Sequence, residues 1–375
     1  MMISLRLFLS LFLFSLTSLT LTLLPGRGCA QTPAPADRDM EAQFGPAALE
    51  QRHTHAAVDV ITLGEGAQRV YVFLPAQPAL QGEAPIVFLH HGWRGMNPLN
   101  FGALIDHLAR SGQVVIYPVY QASAQTSPQV VTGNAAQADR LALEALAARG
   151  ITPDPQRVLY FGYSMGAAIS LNLALDPARH ALPAPRALML VAPGDACHVA
   201  HGEEARSIIG PVENLPEDLP IAILAGEADT SIGLPTARLL HQRLCAASDK
   251  EDEAENAPRA LSLMILPSAE HEGKKVNAGH GSPGAPDSRY DFALTRHDIP
   301  ARIPGRAGFE ASASLNQLDF YGYWKVLDAL IDHLASGNGA LPDSVFGPGT
   351  PQQRYLGHWA DGTPYPPAQI VPCER

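Results

Sequence analysis

The chain has 375 residues, 46% of them hydrophobic and 17% charged, enough to bury one large α/β core or two modest ones. Its formal charge of -11 comes from 26 basic against 37 acidic residues. With no Lys/Arg cluster behind the N-terminus, nucleic acid is excluded as an expected partner.

In chain order, Met1 to Arg6 carries one positive charge, Leu7 to Leu24 is almost wholly apolar, and the small residues Gly28, Cys29 and Ala30 come next. This pattern predicts a signal peptide over residues 1–30, cut after Ala30, and hence export to the periplasm or the exterior with no stable membrane span after cleavage. Two alternatives stay open. The apolar run approaches the length of a bilayer-spanning anchor, and Cys29 admits a lipoprotein, although Gly26-Arg27-Gly28 is a poor acylation signal. After cleavage Cys197, Cys245 and Cys373 remain, which permits one disulfide and one free thiol without fixing the pair. None has metal-site spacing.

A linker is expected over 31–55, Pro/Ala-rich at its start. From residue 56 to 339 apolar runs alternate with helical patterns, as in a mostly parallel sheet covered on both faces. Ala56 to Leu63 and Arg69 to Leu74 read as an opening antiparallel pair. Pro85 to His90, Gln113 to Pro118, Arg157 to Phe161, Ala187 to Ala192, Ile221 to Ala225 and Leu261 to Leu266 read as buried parallel strands. Phe101, Leu104, Ile105 and Leu108 fall at i, i+3, i+4 and i+7, as do Leu327, Leu330, Ile331 and Leu334, so each set is one apolar helix stripe. Residues 273–314 form a long loop insertion, rich in Gly, Pro and Asp, and 340–375 form a C-terminal extension.

The chemistry centres on Gly162-Tyr163-Ser164-Met165-Gly166, between the predicted strand ending at Phe161 and a small-residue helix over Ala167 to Ala174. A serine at a sharp strand-to-helix turn presents its hydroxyl above the sheet, beside the positive end of the helix. Such a nucleophile needs a base, and the base an orienting acid. Asp229, just past the strand Ile221 to Ala225, is the expected acid, with Glu227 and Asp195 as substitutes. His271, a few residues past Leu266, is the expected base, and His280 the alternative. Met165 N-H and Trp93 N-H, the latter in His90-His91-Gly92-Trp93-Arg94-Gly95, are the expected oxyanion donors. The His90-His91 pair lacks a nearby carboxylate or Cys to complete a metal set. Trp93, Tyr117, Tyr120, Tyr163, Tyr290 and Phe292 either line an acyl pocket or pack the core.

Together, the strand order, the His-Gly after the third strand, the Ser164 turn, Asp229 and His271 resemble the α/β-hydrolase superfamily over roughly Ala56 to Leu334. The likeness is greater to exported bacterial esterase-like and dienelactone-hydrolase-like members than to lipases with a large helical lid. The resemblance implies an α/β-hydrolase fold with an eight-stranded, mostly parallel sheet and helices on both faces. It also implies Ser-His-Asp catalysis on a small-molecule ester and no cofactor. A peptidase or acyltransferase would use the same triad, and a non-catalytic binding protein could occupy the same scaffold. The delay between His271 and the final helix departs from the superfamily's pattern and bears on the choice of base.

Overall fold

The computed structural model describes residues 35–195, 207–248, 259–292, 313–337 and 339–373. The expected signal peptide and Cys197 lie outside the described residues. No helix among the described residues is long and apolar enough to cross a membrane.

Eight strands stand where the apolar runs place them: β1 (Ala57–Leu63), β2 (Val70–Ala76), β3 (Gly82–His90), β4 (Val114–Pro118), β5 (Ile151–Tyr163), β6 (Ala187–Val191), β7 (Ile221–Gly226) and β8 (Leu261–Leu266). The last six pair in parallel through their shared neighbours, and β1, β2 and β4 join antiparallel at one edge. β4, β6, β7 and β8, with the buried second halves of β3 and β5, are short apolar runs because both faces of each are covered. The eight-stranded expectation is corrected by one strand. Two further short strands, β9 (Ala269–His271) and β10 (Lys274–Val276), form a separate hairpin, while β11 (Gln369–Val371) adds antiparallel to β8. The main sheet is therefore mixed and nine-stranded, in the order β1-β2-β4-β3-β5-β6-β7-β8-β11.

Two apolar cores cover its faces. On one lie α4 (Val131–Ala147), α5 (Met165–Leu175) and α6 (Gly233–Ser248). α5 is buried along nearly its whole length, so its sequence, Met-Gly-Ala-Ala-Ile-Ser-Leu-Asn-Leu-Ala-Leu, has no polar face to show. α3 (Gly102–Arg110) and α7 (Lys325–Ala335) cover the other face with the stripes read from their periodicity.

Residues 31–55 do more than link. They contain α1 (Pro35–Phe44) and α2 (Pro46–Gln51), whose Met40, Phe44 and Leu49 enter the second core. The C-terminal extension is integrated too: Val345, Tyr355, Leu356, Trp359, Tyr365 and Ala368 are buried in that core. Burial of side chains this size is worth about 2 kcal/mol each before ordering costs. Lys325 ties the extension to α7 by donating to the carbonyls of Gln352 (2.9 Å), Gln353 (3.1 Å) and Tyr355 (2.7 Å). A disulfide, Cys245 to Cys373, fastens the end of the chain to α6, with Cα atoms 5.6 Å apart.

Candidate active site

The chain leaves β3 toward β4 on one side and leaves β5 toward β6 on the other, so a crevice opens above the carboxyl ends of β3 and β5. The Ser164 turn, which follows β5, and the His90-His91-Gly92 loop, which follows β3, both stand at that crevice. Ser164 has φ 53° and ψ -120°, a conformation residues with a side chain rarely adopt. The turn is held by Ser164 N-H donating to Val191 O (3.0 Å) and by the Ala167 and Gly194 N-H groups donating to Ser164 O (2.9 Å each). The flanking glycines are required by close approach: a Cβ on Gly162 would press on the Ala167 backbone, and one on Gly166 would collide with His90 O.

The side chain that meets Ser164 is His280. Its Nε2 lies 2.9 Å from Ser164 Oγ, and its Nδ1 lies 2.6 Å from Asp229 Oδ2. A carboxylate only accepts, so Nδ1 carries the proton and donates to Asp229, leaving the Nε2 lone pair to receive the hydroxyl proton. The Asp229 side chain is 2% exposed and that of His280 is 28% exposed. The acid is thus shielded from water while the imidazole reaches the crevice.

This corrects the expectation for His271. That residue ends β9, and its Nε2-H donates to Asp361 Oδ2 at 2.8 Å, with its ring 5.6 Å from Trp359. The contact with His271 holds the exposed Asp361 carboxyl down to about 2. The physical reason is an inserted turn: after β8 the chain makes the β9-β10 hairpin before crossing back to β7. There Ala228 N-H donates to Ala278 O (3.1 Å), and Ala278 N-H donates to Ser268 Oγ (3.0 Å). Gly226 passes so close to the Ala278 carbonyl that a Cβ would collide with it. Two residues beyond this mooring, His280 stands over Ser164.

The rival acids are engaged elsewhere. Glu227 accepts from Ser268 N-H (2.7 Å), and Asp195 accepts from Ser207 Oγ-H (2.6 Å) and from the Ile208 and Ile209 N-H groups.

Met165 is the first residue of α5, where backbone N-H groups lack helical partners. The Trp93 loop is braced by β4 and by the residues just past its carboxyl end. Tyr120 O-H donates to His91 O (2.6 Å), Tyr117 O-H to Gly95 O (2.5 Å), and Arg94 N-H to Gln121 Oε1 (2.8 Å). Trp93 N-H takes part in none of these bonds. His90 sits between Ser170 Oγ (2.7 Å) and Asp139 (3.2 Å), and burial pushes the Asp139 carboxyl up. The ring nitrogens of His91 face the carbonyls of Gly92 (2.6 Å) and Val119 (2.9 Å), and complete burial outweighs both, pressing its imidazole down to about 4.

Of the aromatic side chains considered for a pocket, Tyr117 and Tyr120 serve this brace, and Tyr290 and Phe292 pack on Phe73. Sequence reading missed Gly194. A Cβ there would stand 3.2 Å from Ser164 Oγ and 3.4 Å from Met165 N, in the space an attacked carbonyl needs. A glycine a few residues past a strand end was its only signal.

A family model described as Chlorophyllase matches residues 51–237. No curated protein sequence matches the chain significantly. Among solved structures, the propionate-bound thermophilic esterase of the planctomycete Thermogutta terrifontis aligns at 16% identity over 76% of this chain and 97% of its own, with a TM-score of 0.48. The same organism's esterase 2 phosphorylated by paraoxon aligns at 17% identity, over 59% and 86%, TM-score 0.43. A putative dienelactone hydrolase from Klebsiella pneumoniae aligns at 19%, over 58% and 88%, TM-score 0.40. These likenesses are distant, and it is the strand order and the Ser164 turn that define the fold. On those features and the matched family model, the chain belongs to the α/β-hydrolase superfamily.

Proposed function

We propose that the chain is an exported serine hydrolase that cleaves a carboxylic ester of a small molecule through an acyl-enzyme. The single observation that carries this reading is the continuous contact from Ser164 Oγ through His280 to buried Asp229, at 2.9 and 2.6 Å. Ser164 attacks the ester carbonyl while His280 Nε2 takes its proton, and Asp229 stabilises the imidazolium that forms. The Met165 and Trp93 N-H groups receive the developing oxyanion. The imidazolium then protonates the departing alcohol, and a water deprotonated by His280 releases the acid and restores the serine. Every step is supplied by groups of this chain, and the reading requires no cofactor. Export is supported by the apolar N-terminal run and by the Cys245 to Cys373 disulfide, which persists in oxidising compartments.

A fluorophosphonate probe and a panel of chromogenic esters of varied acyl length test the proposal. The parent chain is expected to be labelled and to turn over at least one ester. Ser164→Ala should lose labelling and about a million-fold in kcat, by analogy with known triads. Labelling or turnover that survives in the variant refutes the reading.

A further inference from the structure

One buried hydroxyl in the crevice is not used by the mechanism. Tyr163, the residue before the nucleophile, turns its phenol away from solvent and donates to the backbone carbonyl of His280 at 2.8 Å. Its ring lies 5.4 Å from the His280 imidazole, tilted by 36°, and packs edge-on against Phe101 at 5.3 Å. On its other side it meets the oxyanion loop. A Cβ on Gly92 would lie 2.7 Å from Tyr163 Cε1 and 3.0 Å from Ser164 Cβ, so the loop fits against the ring only because residue 92 is glycine. One side chain thus touches the segment that carries the base and the loop that carries Trp93, and it is bonded along the chain to the nucleophile.

We propose that Tyr163 is a positioning residue that sets the His280 imidazole over Ser164 by holding the carbonyl of its own residue. The inference rests on the triad reading. It identifies what fixes the base when the chain around it is an irregular loop. Ala278 and Ser282 moor that loop on either side, through Ala228 N-H and through Ser282 Oγ with Tyr323 Oη (2.8 Å). At the His280 backbone the anchor is the phenol. A hydrogen bond fixes a donor and an acceptor to within a few tenths of an ångström, which is the tolerance proton transfer demands. Burial pushes the phenol pKa far above its ordinary value, so the donor keeps its proton throughout the working range.

Tyr163→Phe removes the hydroxyl and keeps the ring. The expected result is a fall of about tenfold in kcat with KM unchanged, the size of effect that one lost hydrogen bond to a buried acceptor produces. A second readout needs no substrate: the low-field proton resonance of His280 Nδ1-H, held by Asp229, should broaden or vanish in Tyr163→Phe. The resonance and fluorophosphonate labelling report positioning even where no ester in the panel is turned over, so failure of the ester reading is distinguishable from failure of this one. A kcat within twofold of the parent, a rise in KM alone, or a lower melting temperature with the resonance intact would each overturn the proposal. Should Tyr163→Phe fail to fold, 4-fluorophenylalanine at position 163 fills the space of the hydroxyl without a donor. An unchanged resonance and kcat there would overturn it equally.

Discussion

Replacing each histidine by alanine separates the two bases on offer. In His280→Ala the group 2.9 Å from Ser164 Oγ disappears, and Asp229 loses the Nδ1-H that reaches it at 2.6 Å. The members of such a triad act as a unit, so kcat should fall by about a million-fold, as for loss of the nucleophile itself. His271→Ala breaks a different contact, the 2.8 Å bond to Asp361, between side chains that are 30% and 38% exposed. Pairs this open to solvent contribute about 0 to 1 kcal/mol to stability, and none of it reaches Ser164, so kcat should stay within about twofold. Initial rates on one chromogenic ester, at a temperature well below both melting transitions, measure the difference directly. A loss in His271→Ala equal to or greater than that in His280→Ala would refute the assignment of the base.

Two further outcomes concern groups outside the proposed triad. The disulfide closes a loop across a sequence separation of 128, which in the chain-entropy account is worth about 5 kcal/mol. Cys245→Ser should therefore lower Tm by about 10 °C in scanning calorimetry while leaving kcat at room temperature within about twofold; an unchanged Tm would show that the extension is held by packing alone. His91 is buried with its imidazole pressed from 6.5 to about 4, so between those values the unfolded chain binds the extra proton. Its contribution to stability is full above pH 6.5 and falls as the pH drops toward 4, by about 3 kcal/mol in all. Denaturant midpoints of parent and His91→Asn at pH 7 and pH 4.5 check this: the parent should lose more stability than the variant, and equal losses would refute it.

The parallel sheet was legible because a strand buried on both faces must be written almost entirely in apolar, often β-branched residues, as Ile221-Ala222-Ile223-Leu224-Ala225 is. The proposed nucleophile was legible for a related reason: a φ of 53° between a strand and a helix needs small neighbours, and that need leaves a short, local pattern. The proposed base, His280, left no such pattern. Position after the last strand favours the first histidine encountered, and the rule fails here because β9 and β10 lengthen the connection before it returns. The extension was hidden differently. Its buried residues, Tyr355, Leu356, Trp359 and Tyr365, keep neither a helical nor a strand period, because they fill gaps beside α7 and the hairpin from irregular backbone.

The hairpin and the extension meet at His271, whose hydrogen bond is made to the extension and not to Ser164. Asp361 occupies Nε2 of His271, and Trp359 lies against its ring. Tyr365 O-H, from the same stretch, donates to Pro267 O (2.9 Å) at the point where the chain leaves β8. The connection from β8 to the base is therefore gripped from outside the sheet by the extension and from inside by Ala228. Truncation before Gly357 would remove the outer grip together with β11, the buried Trp359, Tyr365 and Ala368 and the disulfide, so the expected loss, read by scanning calorimetry beside kcat, is in thermal stability before it is in the chemistry of the proposed triad.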